Sequence, residues 1–289
     1  MQIKKAFTLT ELSVVALVIA VLITGVTKGS GIINAAYLTN ARSLTTKSPI
    51  AEISGLVAWY ETSLATSLKA NEAIDGQQVS EWRDNSPGSI AAQKNKLTRT
   101  ATSDVTFELN GINNVPTIIF NAAASANFSL SSFYQGISAQ NTVFLVFKPV
   151  ASVSGFTLLD SSSSAGYSTS ITISSNTVSL NAGTSASTGT STNAASFSVG
   201  SGYIMAAYFN GSTSQVFLNN ATSITGGATI SPGTNQLSGL TVGTNKSGSS
   251  GFNGWISEII IYNRPLKLQE RKDVMNYLSK KYKISVTGI

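Results

Sequence analysis

The sequence contains neither cysteine nor histidine. Without cysteine there is no disulfide framework and no thiolate chemistry. Without histidine the commonest general base and transition-metal ligand are missing, and a Ser-His-Asp triad cannot form. Charge is also scarce. Only 11% of the 289 residues are charged, and the net charge of +6 reflects 13 acids against 19 bases. A duplex-binding protein needs a dense cationic face to displace counterions. Here the one marked basic cluster is Arg264, Lys267, Arg271, Lys272, Lys280, Lys281 and Lys283, interleaved with Glu270 and Asp273. Such a mixture reads as a solvated helix face, and nucleic acid is not expected as a partner. Paired carboxylates are missing as well: Glu52, Glu61, Glu72, Glu81, Asp84, Glu108 and Asp160 stand singly, with no Glu-x-Asp-x-x-Glu pattern. Sugar-cleaving chemistry requires two carboxylates facing each other at a controlled separation. The expectation is a chain that is not an enzyme, has no catalytic residues and implies no cofactor.

What is present begins with the N-terminus. Met1-Gln2-Ile3-Lys4-Lys5-Ala6 precedes Phe7-Thr8-Leu9-Thr10-Glu11-Leu12, and from Leu12 to Val26 nearly every residue is aliphatic. Lysines ahead of an apolar run orient the remainder of the chain away from the cytoplasm. Phe7 to Val26 approaches the ~20 residues that cross a bilayer core as a helix. A conventional secretory signal finds weak support, in Ala35-Ala36 beyond the apolar stretch. A plain anchor explains the length but not Glu11, because a carboxylate inside a spanning helix costs roughly 3 kcal/mol.

The stretch Lys4 to Leu12 resembles the leader junction of type IV prepilins and type II secretion pseudopilins. The resemblance implies a six-residue leader, 1–6, cut by a prepilin peptidase between Ala6 and Phe7, with N-methylation of Phe7. It further implies that Glu11 pairs with the Phe7 amine of a neighbouring subunit during assembly. The family usually has glycine where Ala6 stands. An ordinary alternative is a Glu11 tolerated near the interface, or paired with its own terminus. The helical segment, 7–48, should continue past the apolar run through Ile32, Ile33, Leu38, Ala41 and Leu44, and stop before Ser48-Pro49. From Phe7 to Thr46 it would extend roughly 60 Å. Gly25, Gly29 and Gly31 weaken its middle by up to ~1 kcal/mol each, so local melting between Gly25 and Gly31 is a further expectation.

After Pro49 the period changes. Leu56–Tyr60, Val79–Trp82, Thr117–Phe120, Thr142–Phe147, Ser170–Ile173, Thr177–Leu180, Tyr203–Phe209, Ser214–Leu218, Leu237–Val242 and Trp255–Tyr262 read as short strands. Asn210-Gly211 joins two of them as a hairpin, and Asp84 to Gly88 is a turn. Ser, Thr, Gly, Ala and Asn dominate the middle of the chain, which suits strands and turns. The last segment is helical from Pro265 or Leu266, with Leu268, Val274, Met275, Leu278 and Tyr282 on one face and its lysines and arginines outward. The predicted fold class is α+β: a long N-terminal helix, then an all-β antiparallel sandwich over 49–289, then a C-terminal helix.

Gly55 to Tyr60, Val79 to Ser86, Pro116 to Phe120 and the close Phe252 to Leu266 are similar to the concanavalin A-like, laminin G-type jelly roll of bacterial surface proteins. The resemblance covers roughly 53 to 284 and implies adhesion without locating a binding surface. Asp84-Asn85-Ser86 and Asp160-Ser161 are the best calcium loops, although turn formation explains both; no metal site is expected. Trp59, Trp82 and Trp255 lie in strand patterns and read as core rather than as sugar platforms. The serine-rich stretch from Asp160 to Ser198 reads as strands joined by exposed loops.

Two functions compete at this point. The first is a pilin or pseudopilin in a homo-oligomeric or mixed-pilin filament, using the inner-membrane assembly machinery, held in the inner membrane and then displayed on the cell surface. The second is an anchored adhesin or lectin that binds glycans or surface proteins.

Overall fold

The computed structural model describes residues 9–87, 94–100, 104–122, 125–150, 155–162, 169–174, 177–183, 188–191 and 197–289. Helix α1, Leu9–Thr46, runs without a break through Gly25, Gly29 and Gly31 in the single chain. It ends just before Ser48-Pro49, where the constraint on a residue preceding proline stops a helix.

Among the described residues fifteen strands follow: β1 Leu56–Tyr60, β2 Glu81–Trp82, β3 Leu97–Arg99, β4 Val105–Ile112, β5 Val115–Phe120, β6 Phe128–Leu130, β7 Asn141–Pro149, β8 Phe156–Asp160, β9 Ser170–Ser174, β10 Thr177–Asn181, β11 Thr188–Ser191, β12 Tyr203–Phe209, β13 Gln215–Leu218, β14 Leu240–Val242 and β15 Gly254–Tyr262. Helix α2, Leu268–Tyr282, closes the fold. One sheet has the order β13-β12-β7-β15-β5-β4, with β1 beside β15; the other has the order β11-β10-β9-β8-β14-β6-β3-β2. The named pairings are antiparallel. Among the described residues the two sheets share no strand-to-strand pairing, and no closed jelly-roll barrel is formed. What stands is an α+β architecture in which two helices flank a large antiparallel β domain.

Alternation along the strands explains the layers. In β7, Val143, Leu145 and Phe147 enter the core between the sheets, while Phe144 and Val146 enter a second core on the opposite face. In β12, Met205 and Ala207 likewise oppose Ile204 and Ala206. A strand buried on both faces reads as a continuous apolar run, as Thr142 to Phe147 does. The second core is closed by Ala41 of α1 and by Val274, Met275, Leu278 and Tyr282 of α2. In the other sheet only one face is apolar. Leu97, Phe128, Ile171, Ile173, Val178, Leu180, Leu240 and Val242 point to the inter-sheet core, and hydroxyl-bearing residues alternate with them. Trp82 and Phe128 anchor that core, with ring centroids 6.1 Å apart.

Two hairpins show the turn chemistry. Asn210-Gly211 leads from β12 to β13, with Gly211 at φ 58°. Asn113 and Asn114 between β4 and β5 adopt φ 50° and 65°, the paired positive angles of a type I′ turn.

Candidate functional site

The segments around β2, β3 and β6 meet at the end of the domain in a small cleft of about 90 Å³. Its prominent member is Tyr134, a loop residue that is 64% exposed. The Lys94 ammonium lies 4.1 Å from the ring centroid and covers one face. The Tyr134 N–H donates to Asn95 Oδ1 at 2.9 Å, and Asn95 Nδ2 donates to Asp84 Oδ2 at 2.9 Å and to the Val57 carbonyl at 3.0 Å. Tyr60 donates its hydroxyl to the Asn95 carbonyl at 2.5 Å. Asp84 Oδ1 accepts the Trp59 and Ser86 N–H groups, each at 2.9 Å. Burial pushes the Asp84 carboxyl above its ordinary value, and these hydrogen bonds oppose that push. The outcome is an exposed aromatic residue on a loop whose backbone is pinned by a buried amide and carboxylate, both spent on internal hydrogen bonds. What the cleft turns to solvent is the tyrosine itself, a ring for apolar contact with a hydroxyl at its tip.

Of the residues marked in the sequence, Ala6 and Phe7 lie outside the described residues. Glu11 stands in the first described turn of α1, where a carboxylate complements the positive end of the helix dipole. Ten aliphatic side chains of Leu9–Ile23 are half or more exposed. Among the described residues no helix is long and apolar enough to cross a membrane. Neither calcium loop gathers further acids; among the described residues no group of three or more potential metal ligands occurs. Asp84 organises the turn described above. Asp160 accepts the Ser161 and Lys246 N–H groups at 2.7 and 2.8 Å. Trp59 and Trp82 are buried, in line with the core reading. Trp255 is only half-buried, with Lys148 Nζ 4.5 Å from its ring and its N–H donated to Glu108.

The basic helix face departs most from expectation. Arg271 and Lys281 of α2 point inward rather than to solvent. Arg271 donates to the Ala221 carbonyl at 2.9 Å and lies 3.7 Å from the Phe217 ring centroid. Lys281 Nζ sits between Glu258 at 2.8 Å and Glu61 at 3.0 Å, with all three side chains fully buried. Glu258 also accepts from Trp59, Tyr277 and Tyr282, at 2.7, 2.9 and 2.8 Å. Glu61 accepts from the Ser63 and Leu64 N–H groups and from the Ser63 and Ser67 hydroxyls. Burial alone would raise the Glu61 carboxyl; the Lys281 ammonium and the serine hydroxyls outweigh it and hold the group below its ordinary value. Burial opposes the Lys281 charge as well, yet Glu258, Tyr282 and Glu61 keep its ammonium above the ordinary lysine value. The cluster was invisible in the sequence because Glu61 and Lys281 are 220 residues apart. The missed signal was a lysine one residue from the apolar stripe of α2.

No family model matches the chain, and no curated protein does. Solved structures do. Domain 4 of the extracellular GH43 arabinanase AbnA of Geobacillus stearothermophilus, in complex with arabinotriose, aligns with TM-score 0.53 at 14% identity, over 76% of this chain and 98% of that one. A GH54 α-L-arabinofuranosidase aligns with TM-score 0.52 at 10% identity, over 78% of this chain and 63% of that one. Trypanosoma rangeli sialidase aligns with TM-score 0.47 at 14% identity, and the match covers 34% of its length. The chain therefore spans nearly the whole of the arabinanase domain but about a third of the sialidase. At these identities the likeness is one of fold. The two that align above TM-score 0.5 belong to carbohydrate-active enzymes rather than pilins, and they overturn the reading of the chain as a pilin or pseudopilin filament subunit. The expectation of a non-enzymatic chain falls with it, because this fold is shared with glycoside hydrolases. The leader motif is nine residues long, whereas the fold likeness extends over three quarters of the chain.

Proposed function

We propose that this chain is a carbohydrate-binding β-sandwich of the lectin-like jelly-roll type, tethered through α1 and presenting the Tyr134 cleft to glycans. The observation that carries the reading is the exposed Tyr134 on a loop pinned to the buried Asn95–Asp84 pair. The loop backbone is already ordered through Asn95, which lowers the cost of ordering it on binding. The fold likeness to a domain in complex with arabinotriose supports the ligand class and makes arabino-oligosaccharides the first probes.

Tethering rests on the apolar run from Phe7 to Val26 and on the exposed aliphatic surface of Leu9–Ile23, which lipid would cover. The two lysines before that run support an outward-facing sandwich. Alkaline carbonate extraction of cells expressing the full chain should leave it in the membrane pellet; recovery in the supernatant would remove the tether.

The binding test is a glycan array followed by calorimetric titration. Saturable binding of a neutral oligosaccharide is expected, and Tyr134→Ala should weaken it about tenfold, equivalent to about 1.4 kcal/mol. Reducing-end release during the same titration would show that the sandwich cleaves what it binds.

A further inference from the structure

A row of five cross-strand neighbours crosses the outer face of the second sheet. Glu81 of β2 faces Thr98 of β3, Thr98 faces Ser129 of β6, Ser129 faces Thr241 of β14, and Thr241 faces Asp160 of β8. Directly opposed residues share a face, so these side chains form one polar row. Glu81, Thr98 and Ser129 reach solvent, whereas Asp160 and Thr241, whose hydroxyl donates to the Ser161 carbonyl, are buried at its other end. Their neighbours Trp82, Leu97, Phe128, Val242 and Leu159 all point to the core. Neither helix covers this face, since α1 and α2 pack on the other sheet.

Over the centre of the ladder lies a groove of about 380 Å³, within the ~300–1,000 Å³ of small-molecule sites. Ser129 and Thr241 line it together with Thr100, Asn127, Asn245 and Lys246. One wall is built rather than loose. Asn245 Oδ1 accepts the Ser247 and Ser249 N–H groups at 3.1 and 2.9 Å, folding the 245–249 turn on itself. Asp160, itself buried, holds that turn to the sheet through the Lys246 N–H. The lining is dominated by hydroxyl and amide groups, which offer donors and acceptors alike. Lys246 is its one charged lining residue, and the other nine are uncharged.

The geometry points to this groove as a second glycan site, distinct from the Tyr134 cleft, that takes a neutral oligosaccharide chain lying across strands β3, β6 and β14. The inference rests on the carbohydrate-binding reading. It adds that ligand contact here is made through hydrogen bonds without an aromatic platform.

The test is amide NMR of the full chain in detergent, titrated with arabinotriose and with a panel of longer neutral and acidic oligosaccharides. Neutral chains should perturb the amides of 244–249 and of Ser129 in the native protein and in Tyr134→Ala alike. Ser129→Leu, which fills the groove floor from a solvent-facing position, should abolish those shifts while the amides of 94–95 and 134 still respond. An unchanged core spectrum verifies that this variant is folded. Shifts confined to 94–95 and 134 would overturn the groove assignment and leave the Tyr134 reading intact. Shifts with acidic oligosaccharides alone would overturn its neutral specificity, and no shift at either place would overturn both.

Discussion

The two sheets of this domain face opposite worlds. The sheet built on β7, β12 and β15 is apolar on both faces, and its outer face is sealed by α1 and α2 over a buried ion cluster. The sheet built on β3, β6 and β14 is apolar on one face only, and its outer face carries the ladder from Glu81 to Asp160. The first spends its polar groups on each other: Glu61, Glu258 and Lys281 satisfy one another out of water. The second leaves Glu81, Thr98 and Ser129 reaching solvent, and the loop beyond β6 exposes Tyr134. On the proposed function, stability and recognition fall to different faces of one domain.

The largest expected effect lies in the sealed face. Lys281→Ala leaves two buried carboxylates without their ammonium and should lower unfolding free energy by about 3–5 kcal/mol, read from denaturant unfolding. Glycan affinity of the folded fraction should not change. A joint replacement of Glu61, Glu258 and Lys281 by apolar residues of similar volume should cost much less than the single change, because no uncompensated charge remains.

Acid should act on the same cluster. Glu61 is held below its ordinary value, so its contribution is fully present above the unfolded value of ~4.3 and is lost as pH falls through the folded value. Asp84, raised by burial, has the opposite sign: its contribution is complete below its unfolded value and declines as pH rises through the folded one. Unfolding measured across the acid range should therefore show a Glu61 component that disappears in Glu61→Gln. An unaltered profile in that variant would place the acid sensitivity elsewhere.

On the open side the expected effects are on binding rather than folding. Tyr134→Ala should weaken glycan binding about tenfold. Its unfolding free energy should move by no more than ~0.5 kcal/mol, as for other exposed positions. A large loss of stability in this variant would mean that Tyr134 serves packing, and the contrast between the faces would blur.

The sealed sheet was also the more legible in the sequence. Leu56–Tyr60, Thr142–Phe147, Tyr203–Phe209 and Trp255–Tyr262 announce themselves as apolar, β-branched and aromatic runs because both of their faces are buried. Pro49 marked the end of α1, and Asn210-Gly211 marked the β12–β13 hairpin. The strands β3, β6 and β8 went unread. Leu97–Arg99 and Phe128–Leu130 are three residues long, too short for a period to emerge, and their partners are distant in sequence. The Asn113-Asn114 turn was readable, since both residues tolerate positive φ, yet it passed unnoticed and β4 with it. The Tyr134 cleft assembles residues 84, 94, 95 and 134 from three loops, and no local pattern links them. The nine-residue leader motif pulled the functional reading toward filaments, whereas the glycan alternative rested on the fold resemblance alone. The basic face of α2 misled for a related reason: helical periodicity gives the direction of a side chain but not what waits for it, and Glu61 and Glu258 wait for Lys281.

The central claim is that the solvent-facing groups of this sandwich bind glycan while the helix-covered face holds the fold. Titration of the full chain with arabinotriose and a panel of neutral oligosaccharides, in native form and as Tyr134→Ala, tests it most directly. The account predicts saturable binding that weakens about tenfold in the variant at unchanged thermal stability. Absence of saturable binding across the panel, or binding that Tyr134→Ala leaves untouched, would contradict it.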